Sequence, residues 1–406
     1  MKNDVYIYKN FNLIDVETGS IQTNLSLIVS NGRVKDLTSR SGVGEVISLN
    51  GGFVVPGLID AHVHLVWEGQ PDPNRYTLSE SIPVTAYRAA RSAWRNLRGG
   101  VTTVRDMGGP HGINVALSAA VAGGQVQGSR ILAAGAPICQ TGGHVHTMGR
   151  EADGVQDVRK AVREQIKTGA HLIKLMCSGG AYTQGESIHA TQLTPDEILT
   201  AVEESHIAER KVAAHALPQQ AIQNCLEAGV DTIEHSALLN DQNIATFKQT
   251  GSFMIPTIAP YHMMAIKGVD LGVPGYAIQK SQMVMDHYFS SLKTALQTGI
   301  NVGMGTDSGS PTLLHPTIPY EAWLWQTLAG IDTLTILRST TRANAAALGK
   351  GQELGLLKFG YWADFVVYES NPLEDISVLH FPSAVYKGGE KVAADSPVWS
   401  STLIDI

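Results

Sequence analysis

The chain has 406 residues and a formal net charge of −7, which argues against a protein that binds nucleic acid or an anionic membrane surface. The first residues lack the apolar core of a signal peptide, and no apolar run is long enough to span a bilayer. The 3 cysteines are too few and too scattered for a disulfide framework. We therefore expect a soluble cytoplasmic protein.

Both ends of the chain have the pattern of short β-strands. Before residue 55, apolar residues alternate with polar ones, and Asn31-Gly32 is a typical hairpin turn. Near the other end, residues 363–368 and 384–392 repeat the strand pattern. The two ends, residues 1–55 and 351–406, are therefore predicted to form one small β-sandwich domain.

Between these ends, residues 56–350 alternate strand and helix patterns. Buried strands are predicted at 58–64, 101–106, 130–134, 171–177, 211–215, 231–235, 252–256 and 301–306. Helices are predicted at 79–98, 113–122, 153–168, 195–209, 218–228, 241–249 and 281–298. This alternation predicts an α/β fold, a parallel (β/α)8 TIM barrel. The alternative, a doubly wound open sheet, favours a glycine-rich dinucleotide fingerprint after an early strand, and the sequence has none.

Two histidines lie two residues apart at the end of the first barrel strand. Because side chains alternate along a strand, His62 and His64 project from the same face. Two imidazoles placed in this way can chelate one metal ion. The pair alone is equally compatible with two hydrogen-bonded structural histidines, so further ligands are needed to decide.

Four further ligand-type residues lie within or at the ends of later strands: Lys174, His215, His235 and Asp307. Each has an ordinary structural interpretation, since a histidine can be hydrogen-bonded, a lysine can extend to solvent and an aspartate can cap a helix. In a TIM barrel, however, the carboxyl ends of all strands meet on one face. Six ligand-type residues on that face predict a metal site.

The runs that carry these residues resemble motifs of the amidohydrolase superfamily, in the same order along the chain. They are Pro56-Gly57-Leu58-Ile59-Asp60-Ala61-His62-Val63-His64, Ile173-Lys174-Leu175, Ala214-His215-Ala216, Glu234-His235, Gly305-Thr306-Asp307-Ser308 and Ala363-Asp364-Phe365-Val366-Val367. In detail the chain is similar to the imidazolonepropionase-related branch. That branch includes metal-dependent dipeptidases (prolidase-like and Xaa-Arg/Xaa-Lys enzymes) and ochratoxin-type amidases.

The resemblance implies a centre of two divalent metal ions, usually zinc. By that resemblance, one ion is held by His62, His64 and Asp307, and the other by His215 and His235. The sixth ligand, Lys174, is implied to bridge both ions as an N-carboxylated lysine. A metal-bridging hydroxide would then attack an amide carbonyl, with Asp307 as the catalytic group that transfers the proton to the leaving nitrogen. The same resemblance implies a homo-oligomer.

The substrate-binding residues are less strongly indicated. His144 follows two glycines after the third strand and is a candidate to bind a substrate carbonyl or carboxylate. Arg105 is expected either to bind a carboxylate or to pair with its neighbour Asp106. Tyr182 and Tyr261 are expected on loops that line the pocket. The segment 259–280, with three glycines, has the composition of a mobile lid.

One departure from the dipeptidase pattern concerns the substrate. Where prolidase-like relatives tend to have an aromatic or polar residue after His-Ala in the fifth strand, this chain has Leu217. A leucine cannot bind a carboxylate, so an aryl amide, urea or carbamate is an alternative to a dipeptide or N-acyl amino acid. Two further alternatives are a mononuclear deaminase or cyclic-imide hydrolase, which Lys174 disfavours, and a non-catalytic scaffold, which the complete ligand set disfavours.

Overall fold

The structure, a computed structural model, describes residues 5–39 and 42–392. Within them the strands are β1 (Val5–Ile14), β2 (Ile21–Gln22), β3 (Ser26–Ser30), β4 (Arg33–Thr38), β5 (Glu45–Pro56), β6 (Leu58–Val63), β7 (Val101–Asp106), β8 (Arg130–Ala133), β9 (Ile138–Cys139), β10 (Arg150–Glu151), β11 (Leu172–Met176), β12 (Lys211–Ala216), β13 (Thr232–His235), β14 (Phe253–Ile255), β15 (Asn301–Val302), β16 (Phe365–Tyr368), β17 (Ala384–Lys387) and β18 (Glu390–Val392).

The α-helices of the same residues are α1 (Pro73–Ser79), α2 (Ile82–Arg98), α3 (Ile113–Ala122), α4 (Val155–Thr168), α5 (Pro195–Ile207), α6 (Gln219–Glu227), α7 (Asp241–Thr250), α8 (Ile258–Lys267), α9 (Gly275–Thr298), α10 (Ile318–Thr327), α11 (Thr333–Arg338) and α12 (Asn344–Ala347). No helix in the described ranges combines the length and the apolar character needed to cross a membrane. The predicted start of α5 is observed, because Thr194 and Glu197 cap each other's backbone N–H groups.

The two ends of the chain pair in one eight-stranded sheet, in the order β18-β17-β16-β5-β1-β3-β4, with β2 paired to β1. The predicted hairpin joins β3 to β4, and Asn31 and Gly32 both have positive φ (53° and 75°), as a primed hairpin turn requires. Tyr8, Phe365 and Tyr386 pack in the core of this sheet, with the last two rings stacked at 4.4 Å. Residues 1–4, 40–41 and 393–406 of the predicted sandwich domain lie outside the described residues.

The middle of the chain has the mixed α/β organisation that the alternating pattern predicts. Parallel strands form two sheets, β6-β7-β8 and β10-β9-β11-β12-β13-β14-β15. Backbone hydrogen bonds continue between them: Ala61 N–H donates to Met304 O (3.1 Å) and His64 N–H to Ser308 O (2.9 Å). Next to β8, the N–H of His171, just before β11, donates to Ala133 O (2.8 Å). A single closed eight-stranded barrel stays a prediction.

Two expectations are wrong in detail. The eighth strand was predicted over 301–306, but ladder pairing ends at Val302. Tyr261 was expected on a loop, but the segment 259–280 comprises most of α8, a turn at 268–274 and the start of α9. The buried Glu321 carboxylate accepts the N–H groups of Ile258 and Ala259 (3.0 and 2.7 Å), which stabilises the start of α8. Tyr261 therefore lies on a helix.

Candidate functional site

The six predicted ligand residues lie together, in or just beyond five parallel strands. They are His62 in β6, His64 directly after it, Lys174 in β11, His215 in β12, His235 in β13 and Asp307 beyond β15. Parallel register brings the later strands together, since Met176 pairs with His215 and Ala216 with His235. All six ligand-type side chains line one cavity, and each residue is at most 5% exposed.

The spacing of these side chains suits a small cluster. The ring centroids of His62 and His235 are 5.1 Å apart, and those of His215 and His235 are 4.5 Å apart. Asp307 Oδ1 lies 3.6 Å from His62 Nε2 and 3.5 Å from His64 Nε2. Ligand-capable atoms of His62, His235 and Asp307 all lie within 4.8 Å of one another. These distances allow several side chains to share one cation.

Two of these residues have a left-handed backbone. His235 has φ 72° and Asp307 has φ 55°, a conformation that costs free energy for residues other than glycine. At His235 it ends the strand alternation, so that Glu234 and His235, although adjacent, both reach the His62 ring. Backbone strain of this kind concentrates at functional sites.

Outer hydrogen bonds orient each histidine ring. The pairs are His62 Nδ1 with Glu234 Oε2 (2.8 Å), His64 Nδ1 with Gly108 O (3.0 Å), His215 Nε2 with Gly179 O (3.3 Å) and His235 Nδ1 with Thr257 Oγ1 (2.6 Å). A carbonyl or carboxylate oxygen only accepts, so the bonded ring nitrogen donates and the other is left as a potential ligand. Burial lowers the pKa of all four rings, that of His64 to about 3, so the rings are neutral.

Two polar atoms at the centre of the cluster have no hydrogen-bond partner among the described residues: Lys174 Nζ and Asp307 Oδ1. Buried polar groups are normally paired, so both atoms indicate a missing partner. Burial lowers the pKa of Lys174 to about 8 and raises the pKa of Asp307 to about 7. A neutral amine can add CO₂ to give an anionic carbamate. Neutral imidazoles and oxygen anions are the donors that divalent cations take in proteins, so the residues present fit such ions.

Glu234 is the functional residue that the sequence analysis missed. Its carboxylate is fully buried and accepts hydrogen bonds from His62, from Thr232 Oγ1 (2.5 Å) and from Arg105 Nη2, which lies 2.8 Å from Oε1 and 3.0 Å from Oε2. The available signal was an acidic residue in a predicted buried strand, two residues from Thr232 and therefore on the same face.

This arrangement also corrects the expectation for Arg105. Its guanidinium donates to Ala61 O, Thr232 Oγ1 and Glu234, and it pairs neither with Asp106 nor with any group in the cavity lining. Arg105 therefore orients Glu234 beneath the site and is not placed to bind substrate.

The other predicted substrate-binding residues cover the cluster. Tyr182 donates its hydroxyl to Asp307 Oδ2 (3.2 Å), and the Tyr261 ring lies 5.9 Å from that of His235. The His144 ring lies 4.4 Å from that of His215, and its Nδ1 bonds Glu186 Oε2 at 3.1 Å. The three side chains line the cavity and are at most 7% exposed.

The sequence and the structure were compared with those of known proteins. The model of the amidohydrolase family matches residues 53–392. An ochratoxinase from Aspergillus niger is 30% identical over 372 residues, covering 83% of this chain and 75% of that protein. A solved Xaa-Pro dipeptidase with methionine bound in the active site superposes with a TM-score of 0.89 at 27% identity, covering 96% of this chain and 100% of that one. A solved prolidase complexed with N-methylphosphonate-L-proline gives a TM-score of 0.87 at 30% identity, covering 96% and 99%.

Proposed function

Since the chain belongs to the amidohydrolase family and is thus a hydrolase of C–N bonds, we propose that it uses two divalent metal ions to cleave an amide bond in a dipeptide or an N-acyl amino acid. The observation that carries this proposal is the buried cluster of six ligand-type side chains with two unpartnered polar atoms, Lys174 Nζ and Asp307 Oδ1. The hydrogen bonds between the edges of the two parallel sheets support a closed (β/α)8 barrel around this cluster.

The ligand set divides as the family resemblance implies. His62, His64 and Asp307 would hold one ion, and His215 and His235 the other. Lys174, as an N-carboxylated lysine, would contact both. Zinc suits this set because imidazole nitrogen and carboxylate oxygen are its usual ligands beside thiolate. When bound, such ions supply Lewis acidity and lower the pKa of water toward neutrality.

The chain's own residues provide proton transfer and exclusion of water. Asp307 Oδ2 is held by the Tyr182 hydroxyl, which leaves Oδ1 to take a proton from the attacking water and deliver it to the leaving nitrogen. Trp67, Tyr182 and Tyr261 close the cavity and keep bulk water from the reacting atoms.

The substrate class rests on the similar proteins and on the cavity lining. A prolidase bound to a proline phosphonate and a Xaa-Pro dipeptidase bound to methionine support a dipeptide or an N-acyl amino acid. One observation favours a second candidate, an aryl amide, urea or carbamate. Among the described residues, Lys174 is the only lysine or arginine that lines the cavity, and Arg105 is engaged by Glu234. A substrate without a carboxylate would need no further cation.

The test is a turnover screen of the zinc-loaded protein against Xaa-Pro dipeptides, N-acyl amino acids, aryl amides and ureas. We expect amino acid release from the first two classes, reduced ~10²–10⁴-fold in Asp307→Asn, the range for loss of a general acid–base group. Hydrolysis of aryl amides or ureas alone would favour the second candidate. Ammonia release from a heterocycle by a one-metal enzyme, or no turnover in any class, would contradict the proposal.

A further inference from the structure

The cluster is covered by an irregular segment between β11 and α5. We call residues 178–190 the strap. Its Tyr182, together with Trp67 and Tyr261, closes a cavity of about 10 Å³, which suffices for about one water molecule. Sites for small ligands are usually ~300–1,000 Å³. A dipeptide therefore enters only if part of the cover moves.

Of the three aromatic covers, Tyr182 and Trp67 lie on irregular backbone, and Tyr182 is the one carried by the strap. The base of the strap is tied by backbone pairing, since Ser178 bridges Thr191 and Gly179 N–H donates to Ala190 O (3.1 Å). Tyr261, in contrast, lies inside α8, and Trp67 is bonded through its indole N–H to Thr77 (3.0 Å) at α1.

The tip of the strap is held by side chains of two helices. Lys280 of α9 donates from Nζ to Gly180 O (3.0 Å) and to Thr183 O (2.7 Å). Tyr276, one turn earlier on α9, donates its hydroxyl to Tyr182 O (3.2 Å). Asn74 Nδ2 of α1 donates to the same carbonyl at 3.1 Å. Four side-chain hydrogen bonds thus end on the carbonyls that flank and include Tyr182.

The contacts of Lys280 show what its ammonium group does. Within the described residues it forms no salt bridge; besides the two strap carbonyls it faces the Tyr276 ring, 5.6 Å from Nζ, and it is attracted by the Glu186 carboxylate of the strap. Tyr276 and Lys280, four residues apart, lie on one face of α9. That face is therefore directed at the strap.

The geometry points to Lys280 and Tyr276 as positioning residues that latch the strap closed, so that release of the strap admits substrate and its return places the Tyr182 hydroxyl on Asp307. The proposal rests on the proposed function for its substrate, but the latch is a property of the free protein. By conformational selection, a site that is closed most of the time binds with an apparent Kd raised by the inverse of its open fraction.

The test compares Lys280→Met with the matched control Lys293→Met, an exposed lysine of the same helix. Hydrogen–deuterium exchange of the strap-tip amides, Gly180 among them, is measured in the metal-loaded protein, with Gly179 in the tied base as the internal reference. We expect exchange ~10-fold faster in Lys280→Met, as the loss of two charge-assisted hydrogen bonds predicts, and unchanged in the control. Tyr276→Phe, which removes one donor, should shift exchange in the same direction by less.

A kinetic readout separates the latch from direct substrate binding. With N-benzoylglycine as the probe, KM should fall in Lys280→Met, because the strap is open for a larger fraction of the time and opening it costs less free energy. A rise in KM with unchanged strap exchange would mean that Lys280 binds the substrate carboxylate directly and would overturn the latch. Unchanged exchange in both Lys280→Met and Tyr276→Phe would also overturn it. If the wild-type protein hydrolyses no amide, the proposed function fails, and strap exchange still decides the latch.

Discussion

Glu234→Gln tests whether the buried carboxylate behind His62 controls the metal ligand. In the structure the Glu234 carboxylate accepts a hydrogen bond from His62 Nδ1 at 2.8 Å and another from the Arg105 guanidinium. An amide of the same shape has one acceptor oxygen and a donor NH₂ group; with its oxygen on Arg105 and Thr232, as Oε1 is now, its NH₂ group faces the Nδ1–H of His62 and cannot accept from it. The Nδ1–H tautomer of His62, which leaves Nε2 free to bind an ion, would lose its fixed partner.

The expected losses of metal affinity and of stability follow from the contacts of Glu234 with His62 and Arg105. Loss of an outer partner of a metal-bound histidine typically lowers metal affinity ~10–100-fold, or ~1.4–2.7 kcal/mol. The substitution also leaves Arg105 buried without an anionic partner, and breaking a buried pair costs ~3–5 kcal/mol when one partner is removed. Because the glutamine oxygen can still accept one N–H of Arg105, we expect the free energy of unfolding to fall by less, ~2–3 kcal/mol.

The assay is a zinc competition titration with a chromogenic chelator, together with chemical unfolding of the metal-free protein. Glu321→Gln is the matched control, since Glu321 is equally buried but bonds the start of α8 and Trp325. It should destabilise the fold and leave zinc affinity within ~2-fold. Equal zinc affinity in Glu234→Gln and the wild type would refute the reasoning, and so would an equal loss in the control.

Three further predictions concern other groups. Asp307→Asn should keep its bound metal, measured by elemental analysis, while turnover falls; near-normal turnover would refute the proton transfer role. Lys174→Met should bind one ion per chain in place of two and lose the carbamate signal in ¹³C NMR with labelled bicarbonate; two ions would contradict its bridging role. Burial and the nearby Arg130 lower the pKa of Lys387 to about 8. The free energy of unfolding of the wild type should therefore rise by ~1–3 kcal/mol between pH ~8 and ~10.4, and this gain should be absent in Lys387→Met.

The sign for Lys387 follows from its depressed pKa. Between the folded pKa, about 8, and the unfolded value of ~10.4, the unfolded chain binds more protons, so unfolding becomes less favourable as pH rises. Below both values the group is charged in both states and its contribution no longer changes. A pH dependence of stability that is the same in the wild type and Lys387→Met would contradict this assignment.

Much of the site could be predicted because each ligand residue lies in a short motif in or beside a predicted strand, although the motifs are spread along the chain. That His62 and His64 share one face follows from strand alternation, and His215 and His235 end predicted buried strands. Joining all six residues in one metal site also depended on the expected barrel and on the family resemblance. The pairing of the two chain ends followed from the strand pattern and the Asn31-Gly32 turn.

The misses have physical reasons. Glu234 and Arg105 meet across 129 residues of sequence, and a pairing at that distance leaves no local pattern. The left-handed backbone at His235 breaks the alternation by which strand faces are assigned. The helix α8 was read as a loop because its capping carboxylate, Glu321, comes from 62 residues further on. The oligomeric state and the cytoplasmic location stay predictions.

The most direct test of the metal centre is anomalous diffraction at the zinc edge from crystals of the zinc-loaded protein. We predict two anomalous peaks inside the cavity, one beside His62, His64 and Asp307 and the other beside His215 and His235, with added density on Lys174 Nζ. A single peak, or two peaks with Lys174 unmodified and turned away from both, would contradict this prediction.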